Sequence, residues 1–226
     1  MCSRYSLTSP PEAIRRLFGL DQLEEFPPRY NIAPTQPMLL VREAARGGRE
    51  ATLARWGLIP PWVKDPREFA TLLNARAETA AEKPSFRAAF RHRRCLIPAD
   101  GFYEWTGAPG AKQPHLIRLK TRAPFAFAGL WENWLGADGS EIETAAILTT
   151  AANGDMSVIH DRMPVILHEA DYERWIDCRP GTSVHVGDLM APLPDGLIDI
   201  VAVTRKVNSS QVEGAELQTP ISAPLL

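Results

Sequence analysis

The sequence predicts a β-rich α+β fold in one domain. Eight short apolar runs are bounded by turn residues in the manner of strands, two charged segments have helical patterning, and no linker or repeat divides the 226 residues. A chain of this length can bury one substantial core. We therefore expect a single domain over residues 1–226 that ends in an irregular tail at 205–226.

Proline positions predict the first elements. The segment "TSPPEAIRRLFGL" indicates a helix, with Ser9 as its N-cap, Pro10 in the first turn and Glu12 completing a capping box. The segment "FPPRYNIAPTQP" holds four prolines in twelve residues. Proline fixes φ and removes a backbone donor, so we expect an ordered loop there and neither helix nor strand.

The rest of the chain supplies the strands. Apolar runs between turn residues predict eight of them: "MLLVRE", "ATLARWG", "CLIPA", "FYEW", "HLIRLK", "FAFAGLW", "TAAILTT" and "DIVAVT". Two segments, "SFRAAFRHR" and "EADYERWIDC", are predicted to be helical. The final stretch, "KVNSSQVEGAELQTPISAPLL", indicates an irregular tail on the surface.

Composition excludes several classes of protein. A hydrophobic content of 45% and a charged content of 23% are ordinary for a globular protein. Neither a membrane-length apolar run nor a signal-peptide layout is present, so we expect a cytoplasmic protein without a membrane partner. Three widely spaced cysteines without CxxC argue against a disulfide framework and a zinc site, and no nucleotide-binding, GxSxG or HExxH motif occurs. We expect no metal and no cofactor.

The distribution of charge is more informative than the net charge of −2. Of 25 basic residues 20 are arginine, and "RAAFRHRR" places four of them in eight positions. The guanidinium fork matches phosphate, so this run could hold a nucleic-acid backbone. A solvated helix face explains the run equally well.

The cysteine behind the initiator methionine is a candidate nucleophile. Aminopeptidases trim Met1 when the next side chain is small, which would leave Cys2 with a free α-amine and a thiol on adjacent carbons. An aldehyde could condense with the amine and be closed by the thiol into a five-membered thiazolidine, or the thiol could attack an acyl carbon with the amine as base. An inert, frayed terminus is the alternative.

Two further segments combine apolar framing with polar side chains. In "LLNARAET", Asn74, Arg76 and Glu78 share one face if the segment is extended, because side chains alternate along a strand. In "VIHDRMPVIL", His160 and Arg162 share a face under the same condition. Asn74 ending a turn and a structural histidine are the alternatives.

Glu104 lies between two aromatic residues in "PADGFYEWTG". Desolvation there would disfavour the charged carboxylate and suit Glu104 to proton transfer, although an ion pair at a sheet edge explains it too. Together, Cys2, Glu104, His160 and Asn74 would form a full acid/base set for imine or acyl chemistry.

These motifs resemble a known family. "MC-R", "RYNIAPTQ", "WGLIPPW", "NARAET", "RCLIPADGFYEW", "GLWE", "TTAAN" and "IHDRMPVIL" occur in the order found in the SOS-response-associated peptidase (SRAP) family. The resemblance implies a curved, barrel-like antiparallel sheet core with flanking helices. It also implies binding of single-stranded DNA with an abasic site, whose aldehyde the N-terminal cysteine traps as a thiazolidine. Ser3 stands where the family commonly has glycine, which could slow ring closure.

The resemblance also implies roles for individual residues. Asn74, Glu104 and His160 would surround the lesion with Cys2. The implied DNA contacts are phosphate-binding Arg4, Arg76 and Arg162, stacking or wedging side chains at Trp62 and the exposed pair Met38 and Leu39, and further contacts at Arg87 and Thr149.

In the implied reaction, Asn74 orients the sugar, His160 assists its opening, and Glu104 moves protons while the Cys2 amine attacks. Two other classes remain open: a cysteine N-terminal nucleophile hydrolase or peptidase without a DNA substrate, and a non-enzymatic single-strand-binding module. The family name records a peptidase activity, which would consist of removing residues ahead of Cys2. We expect a monomer that associates with the nucleoid when bound to DNA, with the replication machinery as a candidate partner.

Overall fold

A computed structural model of the chain describes residues 2–179 and 185–221. Within these ranges its α-helices are α1 (Pro11–Leu17), α2 (Arg87–His92), α3 (Gly154–Ser157) and α4 (Tyr172–Ile176). Short 3-10 helices lie at Glu169–Asp171, Gly187–Met190, Arg205–Asn208 and Ala215–Gln218. Met1, whose removal the sequence predicts, and residues 222–226 of the predicted tail lie outside the described residues.

Strands make up most of the described chain. They are β1 (Tyr5–Leu7), β2 (Arg29–Ile32), β3 (Pro37–Glu43), β4 (Arg49–Trp56), β5 (Asn74–Arg76), β6 (Arg94–Ala99), β7 (Gly101–Thr106), β8 (Gln113–Leu119), β9 (Phe125–Leu135), β10 (Glu141–Ala151), β11 (Arg162–Pro164), β12 (Ile166–Leu167) and β13 (Ile198–Ala202). All eight predicted strands are present, as β3, β4, β6 to β10 and β13. The additional strands have two to four residues, too few for a sequence pattern to identify.

Five strands close into a barrel. The pairing runs β10–β4–β3–β6–β9 and returns from β9 to β10, so that no edge is left open within this ring. β5 and β11 extend the sheet beside β10, and β12 pairs with β9. The predicted β-rich α+β fold with a barrel-like core is confirmed.

The resemblance implied an antiparallel core, but two of the observed strand pairings are parallel. β10 runs parallel to β4, with Ala145 opposite Trp56, and parallel to β5, with Ile147 opposite Asn74. The long stretch of chain between these strands permits a parallel pairing, whereas a tight hairpin would enforce an antiparallel one.

A second sheet packs against the barrel. Its order is β13–β8–β7–β1–β2, with every neighbour antiparallel. Tyr5 of β1 and Phe102 of β7 lie opposite each other and both contact Phe127 of the barrel strand β9 edge-on, with ring centroids about 6 Å apart. The shared core between the sheets therefore holds β1, and with it the N-terminus, against the barrel.

Two predictions about the first 40 residues are wrong. The proline-rich loop contains β2, because five residues without proline lie between Pro28 and Pro34, and four of them extend and pair with β1. Ser9 does not cap α1, which starts after Pro10 without a side-chain cap. Instead the Ser9 backbone N–H and hydroxyl both donate to the Asp100 carboxylate, at 2.8 and 2.5 Å.

The described part of the predicted tail contains two short 3-10 helices, at Arg205–Asn208 and Ala215–Gln218, and it does not merely lie on the surface. Val207 and Leu217 are fully buried beside Tyr103, on the face of β7 that points away from the barrel. The Asn31 amide donates two hydrogen bonds of 2.8 Å to backbone carbonyls of the tail. The tail therefore covers the outer face of the second sheet.

None of the helices within 2–179 and 185–221 is long and apolar enough to traverse a membrane.

Candidate functional site

Cys2 lies at the junction of the two sheets. The hydrogen bond from Tyr103 N to Arg4 O, 2.9 Å long, extends the β1–β7 pairing towards the N-terminus. Cys2 is only 1% exposed and belongs to the main hydrophobic core, and its Sγ makes a weak 3.8 Å contact with Arg4 O. The residue predicted to be the nucleophile is therefore ordered and buried in the described structure, and does not fray.

Asn74 links Cys2 to the barrel. It is the first residue of β5, opposite Ile147 of β10, and its Nδ2 donates to the Cys2 carbonyl at 2.8 Å. Its Oδ1 is buried and has no hydrogen-bond partner in the described part of the chain. An unsatisfied buried acceptor is costly, so a donor arriving beside Cys2 would be bound favourably there.

Glu104 approaches the same place from β7. It is 6% exposed and lies opposite His115 of β8. Side chains alternate along a strand, so Glu104 shares the face of Phe102, towards the barrel, whereas Tyr103 and Trp105 pack on the other face. The predicted burial of Glu104 is confirmed, but the aromatic neighbours in its sequence do not cause it.

The environment makes the Cys2 thiol a weak acid. Burial raises the pKa of the Cys2 thiol well above its ordinary value, and the nearby charge of Glu104 raises it further. A backbone hydrogen bond with Arg4 opposes this shift only in part. At neutral pH the sulfur therefore carries its proton, and a base must remove it before or during any attack by sulfur.

His160 and Arg162 enter from the edge beside β10. Arg162 begins β11, while His160 lies two residues before that strand, so the two do not lie on one strand face. The Arg162 backbone N–H donates to His160 Nδ1 at 2.9 Å, which leaves the proton of the neutral ring on Nε2. The Asp161 carboxylate lies 2.8 Å from the same Nδ1 and pairs with it only when that nitrogen is protonated.

The predicted phosphate-binding arginines Arg76 and Arg162 come together across β10. Arg76 lies opposite Thr149, and Arg162 lies opposite Ala151 two residues further on. Arg76 is exposed, whereas the Arg162 guanidinium forms two hydrogen bonds with Glu78, at 2.5 and 2.9 Å, and a third with the Thr149 carbonyl at 2.6 Å. Thr149 itself is fully buried, so it supports Arg162 and does not present its side chain to DNA.

The sequence predicted a common face for Glu78 with Asn74 and Arg76 but assigned Glu78 no role in the site. β5 ends at Arg76, so the predicted common face of Asn74, Arg76 and Glu78 is not formed. Glu78 instead reaches Arg162 from the turn after β5. An acid two positions after an exposed arginine in "NARAET" is the signal that could have indicated the pair.

The remaining predicted DNA contacts have different environments. Trp62 is 56% exposed and meets Phe69 edge-on with 5.4 Å between ring centroids, so it presents a free aromatic surface. Arg4 donates from Nη1 to Asn31 Oδ1 and to the Val207 carbonyl, both at 2.7 Å, and burial lowers its pKa. Its guanidinium is thus engaged with β2 and the tail.

The predicted exposure of Met38 and Leu39 is wrong. They are 1% and 8% exposed, because β3 lies inside the barrel ring between β4 and β6 and both of its faces are covered. In this arrangement neither side chain is presented as a wedge between bases.

The four arginines of the basic run "RAAFRHRR" have two kinds of environment. Arg87 and Arg91 on α2 are exposed and form no ion pair with any residue that the structure describes. Arg93 pairs with Glu132 at 2.8 Å, and the buried Arg94 donates to three backbone carbonyls, among them Trp175 O at 2.6 Å. Half of the run is therefore structural, and half is available to an anionic partner.

Among the described residues, no three His, Cys, Asp or Glu side chains are arranged so that they could hold a metal ion.

Comparison with known proteins places this arrangement among relatives. A family model described as SOS response associated peptidase (SRAP) matches residues 1–210. The chain is 41% identical over 221 residues to the abasic site processing protein YoqW of Bacillus subtilis, covering 96% of this chain and 98% of that protein. It is 29% identical over 266 residues to the abasic site processing protein HMCES of Xenopus tropicalis, covering 98% of this chain and 78% of that protein.

Solved structures are also similar. A crystal structure of a Bacteroides thetaiotaomicron protein superposes with a TM-score of 0.83 at 27% identity, covering 97% of this chain and all of that one. A Bordetella bronchiseptica protein superposes with a TM-score of 0.76 at 30% identity, covering 90% of this chain and 100% of that one. Both comparisons agree with the barrel and second sheet described above.

Proposed function

The chain belongs to the SOS response associated peptidase (SRAP) family, and from that premise we propose that it is an enzyme that processes abasic sites in DNA. Its relatives YoqW and HMCES carry the name abasic site processing protein. We propose further that it binds single-stranded DNA and joins Cys2 covalently to the aldehyde of the opened abasic sugar. The bond would be a thiazolidine that shields the lesion.

The observation that carries this proposal is the convergence of two sheets on Cys2. The Asn74 amide fixes the Cys2 carbonyl from the barrel side at 2.8 Å, and the charge of the buried Glu104 acts on the thiol from the β7 side. A nucleophile held by an amide and faced by a carboxyl group has the parts that imine chemistry requires.

The proposed reaction is balanced without an oxidant or reductant. Release of Met1 leaves the Cys2 amine, whose nitrogen adds to the aldehyde carbon to form a carbinolamine. Loss of one water gives the imine, and addition of sulfur to the same carbon, with loss of the thiol proton, closes the ring. Glu104 donates a proton to the departing water and accepts one from the thiol, while His160 assists sugar opening.

Asn74 has a separate part in this scheme. Its buried Oδ1 lacks a partner among the described residues and would accept a hydrogen bond from the Cys2 amine or a sugar hydroxyl. That bond would orient the amine lone pair towards the aldehyde.

The state of the thiol favours this chemistry over that of a hydrolase. A cysteine hydrolase attacks with a thiolate, and burial together with Glu104 raises the pKa of the Cys2 thiol. In the thiazolidine route the amine attacks first and sulfur reacts only afterwards, beside a base, so a resting thiolate is not needed. Any peptidase activity would then be limited to removal of the residue ahead of Cys2.

The DNA would follow the arginines around this site. Arg76, Arg162 and Arg87 are the proposed phosphate contacts, with Trp62 as the stacking surface. Arg4 Nη2 forms no hydrogen bond with another described residue, so it would be available to a phosphate beside the structural bonds of Nη1. We propose that the protein acts in the cytoplasm as a monomer and that the replication machinery is a partner.

The test is incubation with a single-stranded oligonucleotide bearing one abasic site, followed by denaturing electrophoresis and intact-mass measurement. The expected product has the summed mass of both components less one water, and it is absent with the undamaged oligonucleotide. Reversible binding without a covalent product would indicate a binding module. The absence of both binding and a covalent product would indicate the N-terminal nucleophile hydrolase. The mass of the free protein tests the prerequisite, since retained Met1 would block the amine.

A further inference from the structure

The pairing of Glu78 with Arg162 has a consequence for DNA affinity. Carboxylates and phosphates both present two oxygens to the guanidinium fork. Glu78 takes this position on Arg162, with Oε1 2.5 Å from Nη1 and Oε2 2.9 Å from Nη2. We infer, on the basis of the proposed function, that Glu78 competes with DNA phosphates for Arg162 and so limits how long undamaged single strands are held.

The other donor positions of Arg162 are occupied or buried, so they are poorly accessible to a phosphate. Nη2 also donates to the Thr149 carbonyl at 2.6 Å, and Nε is buried without an acceptor among the described residues. The Arg162 side chain is 15% exposed and that of Glu78 is 50% exposed, so the carboxylate is on the solvent side of the pair. An approaching phosphate must therefore replace Glu78 or bind beside its negative charge.

The charge of Glu78 is maintained at neutral pH. The hydrogen bonds from Arg162 hold the pKa of the Glu78 carboxyl below its ordinary value, and the charge of Arg76 contributes in the same direction. An ion pair at this exposure is weak, so DNA can displace it, at the cost of a moderate loss of affinity.

This loss affects damaged and undamaged strands differently. An undamaged strand is held only by non-covalent contacts, so a lower affinity shortens the time for which it stays bound. A strand joined to Cys2 is retained by covalent bonds. Glu78 would therefore release the many undamaged strands that the protein samples without releasing the product.

The experiment measures binding of an undamaged single-stranded oligonucleotide across a series of salt concentrations. Glu78→Gln keeps the shape of the side chain and removes its charge, and Glu82→Gln removes an exposed charge from the same turn as a matched control. We expect Glu78→Gln to tighten binding about two- to fivefold and to steepen the salt dependence by up to about one unit of slope. Glu82→Gln should stay close to the original protein.

A double variant identifies the route of the effect. If Glu78 acts through Arg162, the gain from Glu78→Gln disappears in an Arg162→Ala background. A gain in affinity that persists in the Arg162→Ala background would show general charge repulsion and overturn the inference. Weaker binding by Glu78→Gln alone would also overturn it and would make Glu78 a positioning residue. Thermal melting of each variant verifies folding.

The outcome is independent of crosslinking, because the strand carries no lesion. A protein that binds undamaged strands as expected but fails to crosslink an abasic strand would overturn the proposed function and leave this inference supported. A protein that crosslinks normally while Glu78→Gln changes nothing would overturn this inference alone. A protein that binds no single strand at all would overturn both.

Discussion

At the scale of single residues, the site depends on groups that modify Cys2 from two sides. Asn74 holds its carbonyl, and Glu104 changes the acidity of its thiol. Neither interaction could be formed by Cys2 and its sequence neighbours alone. The proposed chemistry of the terminus would therefore be local, and the groups that could control it come from β5 and β7.

Cys2→Ser separates binding from capture. Serine can still form an imine through its amine but has no thiol to close the thiazolidine, so we expect no heat-stable adduct. Affinity for a single strand should stay nearly unchanged, because phosphate contacts dominate it. Electrophoresis after heating measures the adduct, and Cys178→Ser, remote from β1 in the sequence, is the control that should crosslink normally. A heat-stable Cys2→Ser adduct would show that sulfur is not the closing group.

Glu104→Gln tests proton transfer. Glutamine keeps the shape and the hydrogen-bonding capacity but cannot exchange a proton, so crosslinking and its reversal should slow by roughly 100- to 10,000-fold at nearly unchanged affinity. Single-turnover time courses measure both rates. Normal rates combined with a lower melting temperature would instead assign Glu104 a structural role.

At the scale of elements, β10 organises the edge at which we propose that DNA binds. β5 joins one side of it and β11 the other, which places Arg76 and Arg162 on the two strands that flank β10, although they are 86 residues apart in the sequence (162 minus 76). The strands therefore set the spacing of the two guanidinium groups.

Arg76→Ala tests this edge. Arg76 is exposed and forms no ion pair within the described residues, so its removal should weaken single-strand binding and reduce the salt slope by about one unit. Arg16→Ala on α1, 80% exposed, removes the same charge away from the proposed track and should leave the slope unchanged. An unaltered slope for Arg76→Ala would place that residue off the DNA path.

The tail is the second element with a defined role. It covers the outer face of β7 and β8 through Val207 and Leu217, and the Gln218 amide donates to the Ser6 hydroxyl of β1 at 2.9 Å. The tail thus supports the strand that presents Cys2, from the far end of the sequence.

Leu217→Ala should destabilise the protein by about 2–5 kcal/mol, because Leu217 is fully buried and its truncation leaves a cavity. Urea unfolding measures the change. Leu197→Ala, at a site that is 42% exposed, should cost much less. Equal effects from the two variants would contradict the assignment of the tail to the folded core.

At the scale of the whole molecule, closure of the barrel requires close packing between its strands. Gly129 of β9 lies opposite Cys95 of β6 and Ile147 of β10, so it occupies a position where three barrel strands meet. A Cβ at this position would lie 2.6 Å from Ile97 Cδ1 and 2.7 Å from Cys95 Sγ. The absence of a side chain lets the strands approach and the ring close.

Gly129→Ala should therefore cost about 1–3 kcal/mol of unfolding free energy through overpacking. Combining it with Cys95→Ala removes one of the three nearest atoms, each of which would lie within 3.0 Å of the new Cβ, so the double variant should lose less than the sum of the single losses. Denaturant titration of all four proteins completes the cycle. Strict additivity would show that the sulfur does not restrict this position.

The sequence by itself determined the local properties of this protein. Turn residues and apolar runs predicted eight strands, the position of Cys2 indicated its aminothiol chemistry, and the spacing of "NARAET" and "GFYEW" identified Asn74 and Glu104 as candidates. These features depend on a few consecutive residues, whose backbone preferences and reactivity are intrinsic.

Only the tertiary structure decided which of these side chains meet and which are covered. The resemblance implied that Met38 and Leu39 are exposed, but ring closure covers both faces of β3, which no pattern within the strand can show. The pairing of Glu78 with Arg162 and the hydrogen bond from Asn74 to Cys2 join segments separated by 84 and 72 residues. Such contacts depend on strand order and register, which non-local packing sets and no local pattern encodes.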